Sequence, residues 1–290
     1  MPPATDPSPD DALPPETAAT VDALLAELPT GFRAVALTGA GISAASGIPT
    51  FRGPEGYWQV GSQVYQPQEV ATAAMFRRDP EAVWGWYLYR LGVCRAAEPN
   101  AAHHALVDLD AALGARLRLL TQNVDGLHGR AGSPPERTSR VHGDLELVRC
   151  ARPCTPGLWP IPAEATPLAR GEPLSEQHRR ALTCEGCGGW LRPHVLWFDE
   201  TYDEERFHLE TALEAAAWTD VLVTIGTTGA TALPALAVRS ALDGDAILID
   251  VNPEANDLGD LAAEMAYGVA LRAPAERAVP ALVARLVAHA

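Results

Sequence analysis

The sequence predicts an α/β fold: a parallel sheet with helices on both faces and a small module inserted late in the chain. Three observations predict it. Four short apolar runs have the composition of strands buried on both faces. Helical stretches fall between them, and strands alternating with helices imply a parallel sheet. One stretch dense in proline and glycine, between Cys150 and Cys187, breaks that alternation.

The segment from Met1 to Glu16 is rich in proline and acid and lacks the basic start and apolar run of a secretory signal, so it reads as a solvated tail over 1–16. From Glu16 to Leu28, residues Ala18, Val21, Leu24, Leu25 and Leu28 share one helical face. Arg33–Thr38 is the first apolar run and leads into glycine; Arg116–Thr121, Asp220–Ile225 and Asp245–Asp250 look alike. Helices are expected over Asp79–Ala97, where Asp79 caps and Pro80 suits the first turn, and over Asn100–Leu113. A last helix, Ala275–His289, closes the domain. The expected division is one sheet domain from 17–145 and 192–290 with a module at 146–191.

With 290 residues, 47% hydrophobic and 20% charged, the chain can bury one sizeable core and a smaller one. Lys+Arg 22 against Asp+Glu 37 gives a formal charge of −15, which argues against nucleic-acid binding through a broad basic surface and is compatible with lysine-rich partners. No window approaches a membrane span. Four of the five cysteines form two close pairs, Cys150/Cys154 and Cys184/Cys187, which suits a reducing cytoplasm and a bound metal better than a disulfide scaffold.

The first strand runs into Gly39-Ala40-Gly41-Ile42-Ser43-Ala44, which fits G-x-G-x-x-G/A: the glycines admit a diphosphate close to the backbone, and the small last residue permits tight packing. The cofactor this implies is a dinucleotide; a plain tight turn is the alternative. A dehydrogenase would continue to a second strand ending in an acid. Here the chain runs instead through Ser46 to Trp58, a long loop suited to a lid, in which Phe51 can shield a reactive sugar carbon and Arg52 can steady phosphates. The alternative is an ordered surface loop with Phe51 in the core.

The second run ends Thr121-Gln122-Asn123-Val124-Asp125-Gly126. At the carboxyl end of a parallel strand these side chains enter the ligand crevice, where Asn123 and Asp125 can read ribose hydroxyls and a carboxamide, although Asn-x-Asp-Gly is also good turn chemistry. His142, beside Gly143, is the candidate general base, since imidazole titrates near ~6.5. His128 is its nearest competitor among eight histidines.

The motifs Gly-Ala-Gly-Ile-Ser-Ala-Ala-Ser-Gly-Ile-Pro-Thr-Phe-Arg at 39–52, Gln-Asn-Val-Asp at 122–125, His-Gly at 142–143, Gly-Thr-Thr at 226–228 and Asn-Pro-Glu at 252–254 resemble the sirtuin family in order and spacing, over roughly residues 20 to 288. The resemblance implies a Rossmann-like sheet with a small zinc-binding module. It also implies NAD consumed as co-substrate and acylated lysine-containing proteins or peptides as targets. In the implied reaction the acyl oxygen attacks the nicotinamide-bearing ribose carbon, and His142 then deprotonates a ribose hydroxyl, leading to free lysine and O-acyl-ADP-ribose. Asn123 would hold the ribose and a catalytic water, and Asp125 the carboxamide. Ala40, Ser43, Phe51, Arg52 and Gln122 would hold the rest of the cofactor, with Gly226, Thr227, Thr228, Asn252, Glu254 and Ala275 on the adenosine side. Val195-Leu196-Trp197-Phe198 looks like the family's peptide-pairing strand. The glycine usual after that phenylalanine is Asp199 here, and the serine usual after His-Gly is Asp144.

Cys150, Cys154, Cys184 and Cys187 resemble the two halves of a structural four-thiolate zinc site; four reduced, metal-free cysteines are the alternative. Cys94 lies apart, a packing residue. Tyr87 and Arg90, three apart on the expected helix, look like the pair with which some sirtuins bind acidic acyl groups, the alternative being a core tyrosine beside a surface arginine. Pro54 stands where acid-selective members tend to carry alanine. The rival functions are ADP-ribosyl transfer, a non-catalytic NAD- or zinc-binding interaction module and, last, hydride transfer.

Overall fold

The computed structural model describes residues 13–49, 58–60, 63–154 and 156–290. Helix α1 (Pro15–Leu25) precedes strand β1 (Ala34–Thr38). A short antiparallel pair, β2 (Trp58–Val60) and β3 (Gln63–Tyr65), leads to α2 (Pro67–Val70), α3 (Ala73–Arg78), α4 (Pro80–Ala96) and α5 (Ala101–Leu113). Then come β4 (Leu117–Thr121), α6 (Leu127–Ala131), β5 (Thr138–Arg140), β6 (Gly143–Cys150), β7 (Trp159–Pro160), α7 (Glu176–Ala181) and β8 (Leu191–Val195). The chain closes with α8 (Glu204–Phe207), α9 (Leu209–Trp218), β9 (Val221–Ile225), α10 (Ala232–Leu242), β10 (Ile247–Val251), α11 (Asp257–Glu264), β11 (Gly268–Leu271) and α12 (Ala275–Ala288).

Six strands form a parallel sheet in the order β11-β10-β9-β1-β4-β5. Its four inner strands are the four apolar runs. Side chains alternate across the pleat, so Ala34 and Ala36 enter one core with α1, α5 and α12. Val35 and Leu37 enter the other, with α9, α10 and α11. From β1 the chain builds outward through β4 and β5, then returns to β1's other side for β9, β10 and β11. The crevice above such a reversal is where open α/β sheets bind ligands.

The expected cap is in place, Asp79 accepting from the Ala82 amide, and Asn100 caps α5 by accepting from the Ala102 amide. Leu13 is buried and α1 opens at Pro15. No described helix is long and apolar enough to cross a membrane.

A second, antiparallel sheet has the order β7-β6-β8. Its two long strands span Gly143 to Cys150 on β6 and Leu191 to Val195 on β8. A third core joins this sheet to α4 through Trp84, Leu88 and Leu91. The Trp84 indole donates to the Leu191 carbonyl at 2.8 Å, so α4 holds the start of β8.

Candidate active site

The glycine loop after β1 forms a seven-residue 3-10 helix, Ala40–Ser46, with Gly39 extended ahead of it and Ala40 half-buried at its start. The loop after β9 crosses it at contact distance. The Gly39 amide donates to Ile225 and the Gly41 amide to Gly226, both at 2.9 Å. Any Cβ on Gly41 would lie 2.6 Å from the Gly226 Cα, and Gly226 itself has φ +60°. Only glycine on both sides allows this approach.

Polar side chains from four loops meet above the crossing. Ser43 is buried and donates to Asp125 at 2.8 Å, while the other Asp125 oxygen accepts from the Leu127 amide. The Asn123 amide donates to the Gly39 carbonyl at 3.0 Å and to Ser43 at 3.3 Å. Gln122 spans the crest: its Nε2 reaches the Thr227 hydroxyl at 3.0 Å, and its Oε1 accepts from Thr231 at 3.1 Å. Asn252, at the end of β10, donates to the Thr227 carbonyl at 3.0 Å. Thr228 is half-buried, and Glu254 is exposed, its carbonyl accepting from Arg272. Ala275 opens α12 with its methyl in the core. Phe51, Arg52 and Pro54 lie outside the described residues.

His142 occupies the short link between β5, the edge of the large sheet, and β6 of the small one. Gly143 makes this possible, because its φ is +90° and a Cβ there would run into the His194 carbonyl on β8. The imidazole is hydrogen-bonded to the Gln122 backbone, and its Nε2 lies 2.7 Å from the Tyr202 hydroxyl. Burial pushes its pKa down to about 4, so the ring is neutral at pH 7. His128, the competing base, is buried under the crest with Nε2 on Thr38 at 2.9 Å, and burial pushes it down to about 3.

The Leu196 amide donates to the His142 carbonyl at 2.9 Å, which ties the end of β8 to the imidazole. Val195 is buried, Leu196 half-buried and Phe198 exposed. The Trp197 indole donates to the buried Tyr87 hydroxyl at 2.9 Å. Arg90, one turn on, lies over the Trp86 ring at 5.3 Å. Below this strand, Arg192 stacks 3.4 Å over Trp197, donates to the Val195 carbonyl and grips Glu200 with both terminal nitrogens. β8 is an edge strand, paired only with β6 among the described residues.

Both departures from the family pattern have partners. Asp199 accepts from the Ala73 and Ala74 amides at 2.7 and 3.0 Å, pinning the segment after β8 to the first turn of α3. Asp144 is buried, accepts from the Glu146 amide and pairs with Arg140.

Thiols of Cys150, Cys154, Cys184 and Cys187 converge, all within 4.8 Å of one another, with separations of 3.3 to 3.6 Å along the bonded pairs. Sulfurs around a tetrahedral zinc with 2.3 Å bonds stand about 3.8 Å apart, so the set fits that ion with no open position. Cys150 ends β6 opposite Leu191, which starts β8. Cys94 is buried on α4, and burial pushes its thiol up to about 11.

Two residues at the site had no signal in the sequence. Tyr202, on the loop after β8, and Thr231, ahead of α10, reach His142 and Gln122 from distant parts of the chain, and neither belongs to a recognisable motif.

A sequence profile of the Sir2 family matches residues 39–232. An NAD-dependent protein deacylase of Aeropyrum pernix is 42% identical over 224 residues, covering 77% of this chain and 82% of that one. Among solved structures, a Sir2 homologue mutant in complex with 2'-O-acetyl ADP ribose superposes with a TM-score of 0.75 at 32% identity, covering 94% of this chain and 96% of that one. A complex of a Sir2 homologue with NAD gives a TM-score of 0.73 at 32% identity, covering 92% and 93%.

Proposed function

Since the chain belongs to the Sir2 family, the sirtuins, we propose that its NAD-dependent deacylation of lysine side chains is performed by His142 as general base at the crest between the two sheets. The enzyme is an NAD-dependent protein deacylase, releasing nicotinamide and O-acyl-ADP-ribose. The observation that carries the role of His142 is its tautomer. With Nδ1 engaged on the Gln122 backbone, the lone pair on Nε2 faces a hydroxyl at 2.7 Å, the contact a base needs to take a proton from an alcohol.

NAD supplies a ribose carbon made electrophilic as nicotinamide departs, and a neighbouring hydroxyl. The chain's residues bind and orient these groups. Asn123 and Ser43 are held side by side by the Gly39 carbonyl and Asp125, ready for ribose hydroxyls and a carboxamide. Ala40, Gly41, Gln122, Phe51 and Arg52 take the remainder of the nicotinamide half. Gly226, Thr227, Thr228, Asn252, Glu254 and the backbone at Ala275 serve the adenosine half. The segment Val195 to Phe198, which continues from β8, receives the peptide as an added strand.

Zinc on the four cysteines is structural and belongs to a module over 146–191. The acyl range includes acetyl and acidic groups, the latter held by Tyr87 and Arg90. We place the enzyme in the cytoplasm, acting on proteins rather than on nucleic acid or membrane.

The test is an acyl-peptide assay with NAD and product masses. Wild type should release O-acyl-ADP-ribose, and His142→Ala should lose about 10²- to 10⁴-fold in rate. An ADP-ribose adduct on the peptide as main product, or full activity in His142→Ala, would refute the assignment.

A further inference from the structure

Tyr202 stands between β8 and α8, and its backbone is fixed from both sides. Glu200, two residues before it, accepts from the Trp197 amide and grips Arg192; Asp203, next in sequence, caps α8 by accepting from the Arg206 amide at 2.6 Å. The side chain lies half-buried against the core shared with α9 and α10. Its ring lies 5.7 Å from the His142 ring, tilted by 37°.

The bond of the imidazole to the Gln122 backbone fixes the direction of the tyrosine's proton. The Gln122 amide is already donated to the Thr38 carbonyl, so the imidazole gives its hydrogen to the Gln122 carbonyl, and the tyrosine's proton is left to point at Nε2 of His142, 2.7 Å away. Nε2 is then the acceptor and Nδ1 carries the hydrogen shared with the Gln122 backbone. This is the tautomer that makes Nε2 the base.

A base nitrogen has one lone pair, and here a tyrosine fills it. A ribose hydroxyl has two routes to it: through the tyrosine as a relay, or in place of it. A relay needs two coupled proton transfers through the tyrosine oxygen. Displacement needs only rotation of one side chain on a fixed backbone.

We propose that Tyr202 is a positioning residue for the base: its hydroxyl holds Nε2 of His142 oriented before the co-substrate binds, and yields that place to the ribose hydroxyl. The inference rests on His142 being the base. Once the hydroxyls have exchanged, the ribose proton passes to Nε2 and the imidazolium keeps its second hydrogen on Gln122.

Steady-state kinetics in NAD, on the full chain with zinc, carry the test. Tyr202→Phe removes the competitor, so KM for NAD should fall about 3- to 10-fold, the worth of one net hydrogen bond, with kcat within about twofold. The acid limb of kcat/KM should move to higher pH, because a donor that favoured the neutral ring is gone. A loss of kcat at unchanged KM would establish a relay and overturn the proposal; so would an unchanged KM with an unmoved acid limb. The ring-nitrogen NMR signals of His142 in wild-type protein give a second reading that does not depend on the variant folding. The Nε2 signal should shift on adding NAD, and a signal that does not move overturns exchange at that nitrogen. His142→Ala separates the two ideas: if it is as active as wild type, the base assignment fails. If it is inactive while Tyr202→Phe matches wild type, only the role of Tyr202 fails.

Discussion

The amide of Leu196 donates to the carbonyl of His142 at 2.9 Å, and this bond closes one end of a strand pair whose other end carries Cys150 opposite Leu191. His142 and the Cys150 thiol therefore stand at opposite ends of β6.

Removing the metal should loosen that pair from its far end. Structural zinc in small modules contributes on the order of 10 kcal/mol of binding energy that is also folding energy. In Cys184→Ala, metal content per chain should drop to background, and thermal unfolding should begin at the small sheet. Metal analysis and a melting curve decide it; a metal-free preparation with the wild-type melting temperature would contradict this.

Gly143→Ala places a methyl group against the His194 carbonyl at a φ of +90°. The two strands must part or the backbone must turn, at a cost of about 1–3 kcal/mol for an over-filled site. His142 moves with them. Urea unfolding should show a lowered midpoint, and deacylation should fall by more than about tenfold even where the protein remains folded.

Acid should weaken the fold before carboxylates protonate. Burial depresses His103 to about 4, His128 to about 3 and His194 to about 4, the last aided by Arg149, Arg192 and Arg206. These rings are neutral when folded and titrate near ~6.5 when unfolded, so the unfolded chain binds more protons between those values. Their contribution to stability is complete above pH ~6.5 and is lost as pH falls toward 4, by about 1.4 kcal/mol per pH unit for each fully shifted ring. Urea midpoints at pH 7, 6 and 5 should decline steadily; equal midpoints would show that the rings are not buried as described.

Arg90→Met tests the acidic-acyl reading. A guanidinium–carboxylate contact is worth about 1.5–3 kcal/mol, which predicts a 10- to 100-fold loss toward a succinyl-lysine peptide and little change toward acetyl-lysine. Equal effects on the two peptides would assign Arg90 to packing over Trp86. Tyr87→Phe is expected to cost stability as well, about 1–3 kcal/mol, since it leaves the Trp197 indole without its acceptor.

The inner sheet was legible because strands covered on both faces must be apolar along their whole length, as Ala34–Thr38 and Val221–Ile225 are. The edge strands were not. Thr138–Arg140 is only half-buried and Gly268–Leu271 alternates, so neither forms an apolar run. At the site, the residues that stood out were those whose chemistry comes with a local pattern: the glycine pair, Asn-x-Asp and His-Gly. Tyr202 and Thr231 gain their meaning only when β8 and α10 are brought to the crest. Asp199 and Asp144 could be seen as departures, but not as a helix-capping carboxylate and an ion-pair partner.

Arg192, stacked on Trp197 and clamped to Glu200, keeps the rim below the free edge of β8 rigid. A peptide that adds there finds its template already ordered, so the entropic toll of docking falls on the guest alone. Affinities for different sequences should then diverge through dissociation rather than capture, with stiff peptides staying longest.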